Sequence, residues 1–414
     1  MLTRTAIKIL ALFGSLCLAA GLAVAQDSGP LIDLLVKKGI VNDQEAEQLR
    51  ADLVKDFNAT TSAGKLNLSS SLTELRISGD VRLRYEYRGG TDAVTGDSLE
   101  RSRFRYRLRP AITGKLGSDW FFGFRLENGT KGRSSNVTVG DDNPAGGPFA
   151  KTSDTINVGQ VYVGYTPTKE ITLIGGRMPN PFVNTSMIWD GDINPEGLAE
   201  QYKKRIGQWD IAATAGQFLY DAANTQNQIK PKLNKKDQFL LGWQLAAKYN
   251  LSATNFVQFA PTLYNYVNTS NNTSLVTAFG GPFKSGNMAA INNLLIADMP
   301  AEIDWAVNGT VSRIFGDVSV NLDASERAAK WGRSDLSGQK YGYQIGYQYG
   351  KAKLKGEWDA KVAYQSVGLF ALDPNLVDSD LFDSRVNMEG VFLSVNYQIT
   401  DSVTATFSYA SANR

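Results

Sequence analysis

Residues 75–88 read Leu75-Arg76-Ile77-Ser78-Gly79-Asp80-Val81-Arg82-Leu83-Arg84-Tyr85-Glu86-Tyr87-Arg88. Ile77, Val81, Leu83, Tyr85 and Tyr87 share one parity. Arg76, Asp80, Arg82, Arg84, Glu86 and Arg88 share the other. A side-chain period of two puts each set on its own side of a sheet. The pattern repeats at Phe104, Tyr106 and Leu108 against Arg103, Arg105, Arg107 and Arg109. It returns at Phe239, Leu241, Trp243, Leu245 and Tyr249 against Gly242, Gln244 and Lys248, and at Tyr341, Tyr343, Ile345, Tyr347 and Tyr349 against glycine and glutamine. Soluble β-sandwiches share such alternation. Segments of about ten residues, the length that crosses a tilted bilayer, favour a membrane, as do aromatic residues at strand ends.

The start of the chain supplies the compartment. Arg4 and Lys8 precede the apolar run Ile9–Leu22, and Ala23-Val24-Ala25 gives a small–x–small cleavage site before Gln26. This three-part pattern predicts a signal peptide over 1–25. The run is shorter than the ~20 residues of a spanning helix. Lipidation at Cys17 is disfavoured because bulky Leu16 precedes it.

Composition narrows the chemistry. Lys+Arg number 43 and Asp+Glu 41, so no basic excess points to nucleic acid. There is no histidine, which removes the commonest general base, Ser–His pairs and most zinc sites. Cys17 is the only cysteine and lies in the segment expected to be removed, so no disulfide is expected. No cofactor and no enzymatic activity are expected.

Residues 31–56 carry a helical period instead. Leu31, Leu34 and Leu35 fall at i, i+3 and i+4, Gly39 breaks the run, and Asn42 precedes Glu45 at the capping-box interval before Ala46, Leu49 and Leu53. A short helical hairpin follows from this, with a polar linker at 58–71.

Fifteen strands are expected, at 75–88, 100–116, 119–130, 156–166, 170–178, 198–206, 209–220, 238–250, 254–267, 301–315, 318–328, 341–350, 353–367, 385–399 and 402–411. Their connectors alternate long and short, as in barrels with short periplasmic turns and long outer loops. The fold class is therefore all-β: a transmembrane, antiparallel, up-and-down β-barrel. Domains are a signal peptide at 1–25, a periplasmic helical hairpin and linker at 26–73, and the barrel at 74–414. Single-chain bacterial barrels have an even strand count. A sixteen-stranded parent lacking its closing strand through truncation is expected, with a miscounted strand at 66–73 or in 268–300 as the fallback.

Two stretches resemble the bacterial "putative porin" family of outer-membrane proteins. The first is Leu31–Ile40, running on to Glu45–Arg50. The second is Gly176-Arg177-Met178-Pro179-Asn180-Pro181-Phe182 followed by Ile188–Gly197. Ser78–Tyr85 is similar too. The resemblance implies an outer-membrane barrel with pore activity, and no agreed substrate or catalytic residue. The chain departs from it by ending on Ser411-Ala412-Asn413-Arg414 without a terminal aromatic.

The sharpest site candidate is an arginine ladder expected to line the pore: Arg76, Arg82, Arg84 and Arg88, then Arg103, Arg105, Arg107 and Arg109, then Arg125. Arginine facing lipid costs about 2–4 kcal/mol at mid-bilayer, so these face the lumen. They either concentrate anions or pair with Asp80, Glu86, Glu127 and loop acids to stiffen the wall. Candidates for a constriction loop are Asp141, Asp142, Trp189, Asp190, Asp192 and Glu196. Asp190, Asp192 and Asn194 are a weak calcium candidate, lacking the rest of a calcium-loop pattern. An apolar patch, Met288–Leu295, lies in the 268–300 connector.

The leading expectation is a general or mildly anion-preferring channel for passive diffusion of small hydrophilic solutes or ions. The alternatives are a scaffold barrel around an electron-carrying partner, or an outer-membrane enzyme. Outer-membrane lipid is an expected partner, and the oligomeric state is open.

Overall fold

The computed structural model describes residues 34, 36–38, 41–42, 45–51, 69–91, 96–129, 134–140, 155–222, 237–267, 293–307, 309–382 and 385–413. The expected signal peptide, Cys17, Asp141, Asp142, Arg414 and most of the 268–300 connector lie outside these residues. The chain forms two units, Met1–Ser69 and Ser70–Arg414. In the first, residues 45–51 are helical. The capping box closes as its spacing predicts: Asn42 N–H donates to Glu45 Oε2 at 3.0 Å, and Glu45 N–H to Asn42 Oδ1 at 2.8 Å.

The second unit is a 17-stranded sheet. Its strands are β1 (Leu72–Thr91), β2 (Ser98–Leu116), β3 (Trp120–Gly129), β4 (Val137–Thr138), β5 (Thr155–Tyr165), β6 (Ile171–Arg177), β7 (Glu196–Ile206), β8 (Trp209–Asp221), β9 (Gln238–Asn250), β10 (Phe256–Phe259), β11 (Thr262–Val267), β12 (Leu295–Val307), β13 (Thr310–Asn321), β14 (Tyr341–Gly350), β15 (Trp358–Val367), β16 (Met388–Thr400) and β17 (Val403–Asn413). Every pairing is antiparallel. β10 and β11 both pair with β9 and β12, so they are halves of one stave interrupted at Ala260-Pro261, where proline offers no N–H. The short β4 pairs with β2 beyond the end of β3. Among the described residues the segments thus make fifteen staves.

Some boundaries depart from the expected ones. The turn expected at Gly316-Asp317 lies instead next to Gly309, which supplies the positive φ of +76° that a tight hairpin requires. Gly316 and Asp317 are mid-strand, paired with Ala301 and Pro300. The expected strand 318–328 ends at Asn321, and Ala324–Lys330 is a helix. The expected strand 353–367 begins only at Trp358. Glu357 accepts N–H from Lys353 at 3.0 Å and Leu354 at 2.9 Å, which holds a turn there.

The alternation assigns the faces. Val81 and Leu83 are 73% and 82% exposed, whereas Glu86 is 8% exposed. Apolar side chains point outward toward lipid, and the charged parity points into the lumen. The sheet curls, because the β6–β7 loop reaches walls far apart in strand order: Asp192 meets Arg109 on β2, and Thr185 donates to Asp317 on β13. Among the described residues, β1 pairs with β2 and β17 with β16, and no register joins β1 to β17. Both faces of β17 are exposed along nearly its whole length. Of the expected extra strand at 66–73, Leu72 and Thr73 belong to β1 and 66–68 lie outside the described residues; Leu295–Pro300 belongs to β12.

Candidate functional site: an arginine wall facing two lumenal loops

The wall follows from register. On the inward face, Arg82 lies opposite Arg107, Arg84 opposite Arg105, Glu86 opposite Arg103, Asp80 opposite Arg109 and Arg88 opposite Arg101. Like charges directly opposite are destabilising, so the carboxylates among them carry the structure. Glu86 gathers five guanidiniums: Arg103 at 2.6 Å, Arg88 at 3.1 Å, Arg101 at 3.3 Å, Arg105 at 3.6 Å, and Arg84. Asp80 accepts from Arg109 at 2.7 Å and Arg107 at 2.8 Å. On β3, Arg125 pairs with Glu127 at 3.2 Å. Arg82 donates to Asn136, and Arg105 donates to Ser134 Oγ at 3.2 Å and Asn136 O at 3.1 Å, which fixes the segment before β4 against the wall.

Two loops meet this wall. The loop between β6 and β7 turns into the lumen because its apolar side chains find a surface there. Met178, Phe182, Met187, Ile188 and Trp189 form one buried cluster with Phe218, Leu240, Tyr264, Leu372, Leu376 and Val377. Each large apolar side chain so buried contributes about 1.5–3 kcal/mol. Phe182 lies on paired Gly216 and Gly242; a Cβ at either would come within 3.0 Å and 2.5 Å of its ring. Gln244 clamps the same loop, accepting Val183 N–H at 2.9 Å and donating to Val183 O at 2.7 Å. Thr185 donates to Asp317.

The second loop, between β15 and β16, packs on the first. Asp190 N–H donates to Leu376 O at 2.6 Å, and Asp378 N–H to Ser186 O at 3.2 Å. Asp190 Oδ2 accepts both Ser379 N–H at 3.1 Å and Ser379 Oγ–H at 3.0 Å. Beside this loop the Ala324–Lys330 helix buries Arg327. Loss of water pushes that guanidinium down to about 10, Asp373 opposing the shift.

The loops deliver two acids to the arginines. Asp192 Oδ1 accepts from Arg109 at 2.9 Å and Arg107 at 3.3 Å. Asp380 lies 2.9 Å from Arg84 and 3.9 Å from Arg82. Among the described residues, nine arginines (82, 84, 88, 101, 103, 105, 107, 109, 125) thus face five carboxylates, those of Asp80, Glu86, Glu127, Asp192 and Asp380, leaving four positive charges in excess. The inward side of β12–β15 has the opposite balance. Asp298, Glu302, Asp304, Asp317 and Asp359 stand there with Arg313 and Lys361, and Arg313 binds Asp304 through two nitrogens at 2.7 and 2.9 Å.

Of the expected site residues, Arg82, Arg84, Arg88, Arg103, Arg105, Arg107, Arg109 and Arg125 come together with Asp192. Arg76 shares their parity but is exposed toward the short-turn end, opposite Thr113. Trp189 does not reach the arginines; it is buried, donates Nε1–H to Ile193 O at 2.9 Å and serves as a loop anchor. Glu196 is on the outward parity of β7 with Leu198, bound to Arg177. The calcium candidate is taken up by protein donors: Asp190 holds Ser379 and the Asp192 N–H, Asp192 holds two arginines, and Asn194 Oδ1 accepts from Gln160 at 2.9 Å. Among the described residues no three acidic side chains gather as metal ligands. Arg101 and Asp380 were not expected. Arg101 has the parity of Arg103 two residues on; Asp380 lies in a loop with no periodic signal.

An antiparallel barrel, apolar outside and charged within, with its own loops folded into the lumen, defines a transmembrane β-barrel channel. The model of the family described as "Putative porin" matches residues 91–290. This match and the fold support a porin-type channel of the outer membrane. Solved structures similar to it include two engineered mutants of Rhodopseudomonas blastica porin. They show 10% and 11% identity, a TM-score of 0.43 each, and cover 82% of this chain and 94% of theirs. No curated protein matches the chain.

Proposed function

We propose that the channel carries small hydrophilic solutes by passive diffusion and prefers anions, with the arginines of β1–β3 as its selectivity element. One observation carries this reading: among the described residues, nine guanidiniums face five carboxylates on one side of the lumen. A wall of uncompensated positive charge with low-dielectric backing raises the local anion concentration. The acid-rich inward side of β12–β15 supports a field across the lumen, under which ions of opposite sign keep to opposite walls. The chain's own loops occupy the lumenal side of β7–β11, which favours a narrow aqueous path over a sheath around a partner protein. In the same reading, residues 1–25 are removed on export and 26–73 remain in the periplasm.

The test is the zero-current potential of the purified protein in a planar bilayer under a potassium chloride gradient. A potential of the sign set by chloride is expected. A potential set by potassium contradicts the anion reading.

A further inference from the structure

Asp192 and Asp380 differ from the other carboxylates of the arginine wall. Asp80, Glu86 and Glu127 belong to the wall strands themselves and are fixed by register. Asp192 and Asp380 arrive from two separate loops and place carboxylates on it from the lumenal side. Each contacts a pair of guanidiniums: Arg107 and Arg109 for Asp192, Arg82 and Arg84 for Asp380. The two loops are tied by Ser379 on Asp190, so the two acids are presented together. Both acids keep some solvent contact, with side chains 21% and 38% exposed.

The wall has further donors. The Nε–H groups of Arg82, Arg105 and Arg125 are buried and have no hydrogen-bond acceptor. A planar guanidinium fork matches the two oxygens of a carboxylate or phosphate, whereas chloride offers a single spherical acceptor.

From this arrangement we infer that the wall is a binding site for small oxyanions, dicarboxylates above all, and that Asp192 and Asp380 are resident carboxylates which a passing oxyanion displaces. The inference rests on the anion-preferring reading above and adds the class of anion and the residues that set its affinity. The two acids span neighbouring arginine pairs along β1 and β2, so an anion with two carboxylates can replace both while a monocarboxylate replaces one. Loop acids bound to the wall also keep the empty channel from holding its solute too tightly, which a conducting pore requires.

The test is single-channel recording in potassium chloride, with succinate, acetate or inorganic phosphate added in separate arms. Succinate is expected to reduce the chloride current at a lower concentration than acetate. Asp192→Asn and Asp380→Asn each remove one competitor without adding bulk, and each is expected to lower the half-blocking succinate concentration roughly two- to fivefold, the scale of one partly solvated ion pair. Arg107→Gln is expected to raise it. Phosphate block with the same response to the two variants supports the oxyanion class and separates an inorganic solute from a carboxylate one. Heat-modifiable migration on gels shows that each variant is folded. If wild-type protein is anion-preferring by zero-current potential yet neither succinate nor phosphate blocks it, the oxyanion inference fails and the anion reading stands. If both acid variants bind succinate no more tightly than wild type, displacement is refuted. A cation-preferring wild type removes the anion reading itself.

Discussion

Ser379 donates its N–H and its hydroxyl to one oxygen of Asp190, at 3.1 and 3.0 Å, and so joins the two loops that enter the lumen. The residues are 189 positions apart in sequence. Asp190 also accepts the N–H of Asp192 at 2.9 Å, so the acid that meets Arg107 and Arg109 is positioned by the same carboxylate that holds the second loop.

Asp190→Ala is therefore expected to uncouple the loops while the barrel still folds. Three donors lose their acceptor, and each such loss costs about 1–3 kcal/mol where water cannot replace it. Single-channel traces should show greater open-channel noise and more than one conductance level. Traces as quiet as wild type, with heat-modifiable migration intact, would mean the apolar cluster alone fixes the loops.

Glu86 is the hub of the wall, with five arginines around it. Glu86→Gln keeps the shape and removes the charge. Breaking a buried ion pair costs about 3–5 kcal/mol, and partial solvation of several partners reduces this to about 2 kcal/mol. Denaturant unfolding in detergent, followed by tryptophan fluorescence, should show that loss. The folded fraction should be more anion-preferring than wild type. Unchanged stability would remove Glu86 as the organising acid.

The turn at 351–357 gives a pH prediction. N–H donation from Leu354 and then Lys353 holds the Glu357 carboxyl below the usual glutamate range. A depressed carboxylate pKa contributes stability that is present above the unfolded value and lost as pH falls through the folded one. Amide exchange at Lys353 and Leu354, corrected for intrinsic rate, should speed up only below the ordinary glutamate range. Glu357→Gln should lack the transition. Exchange that is flat to the lowest pH reached would count against the turn being held by the carboxylate.

Much of this architecture was legible because strands declare themselves by period. The alternation in 75–88 places Arg82, Arg84 and Glu86 inward, and the number of staves among the described residues is the fifteen expected, although the expected 301–315 and 318–328 straddle the hairpin of β12 and β13. Parity fails to say how far along the barrel a side chain sits, which is why Arg76 was grouped with arginines it does not join. Turns are less legible: Asn308-Gly309 and Gly316-Asp317 are both Gly-containing pairs, and only the register across β12 and β13 separates them. Loops carry no period at all. Trp189 looked like a pore residue and is an anchor, because its partners Phe218 and Tyr264 come from strands far along the chain. Asp380 was invisible for the same reason.

Residues 26–65 should be dispensable for barrel folding. Their helical period cannot join a β-ladder, and Met1–Ser69 forms a unit separate from Ser70–Arg414. A protein lacking 26–65 should keep the heat-modifiable band on gels. Loss of that band would show that the hairpin is integral to the fold.

The central claim, that the inward arginines of β1–β3 set ion selectivity, is tested most directly by replacing Arg103, Arg105 and Arg107 together with glutamine and measuring the zero-current potential in a salt gradient. Glutamine keeps hydrogen-bonding capacity and removes three of the nine positive charges facing the five acids, so the excess falls from four to one. The potential should move toward the cation side while the folded band persists. A folded variant with the wild-type potential would contradict the account and leave the arginines a purely structural part of the wall.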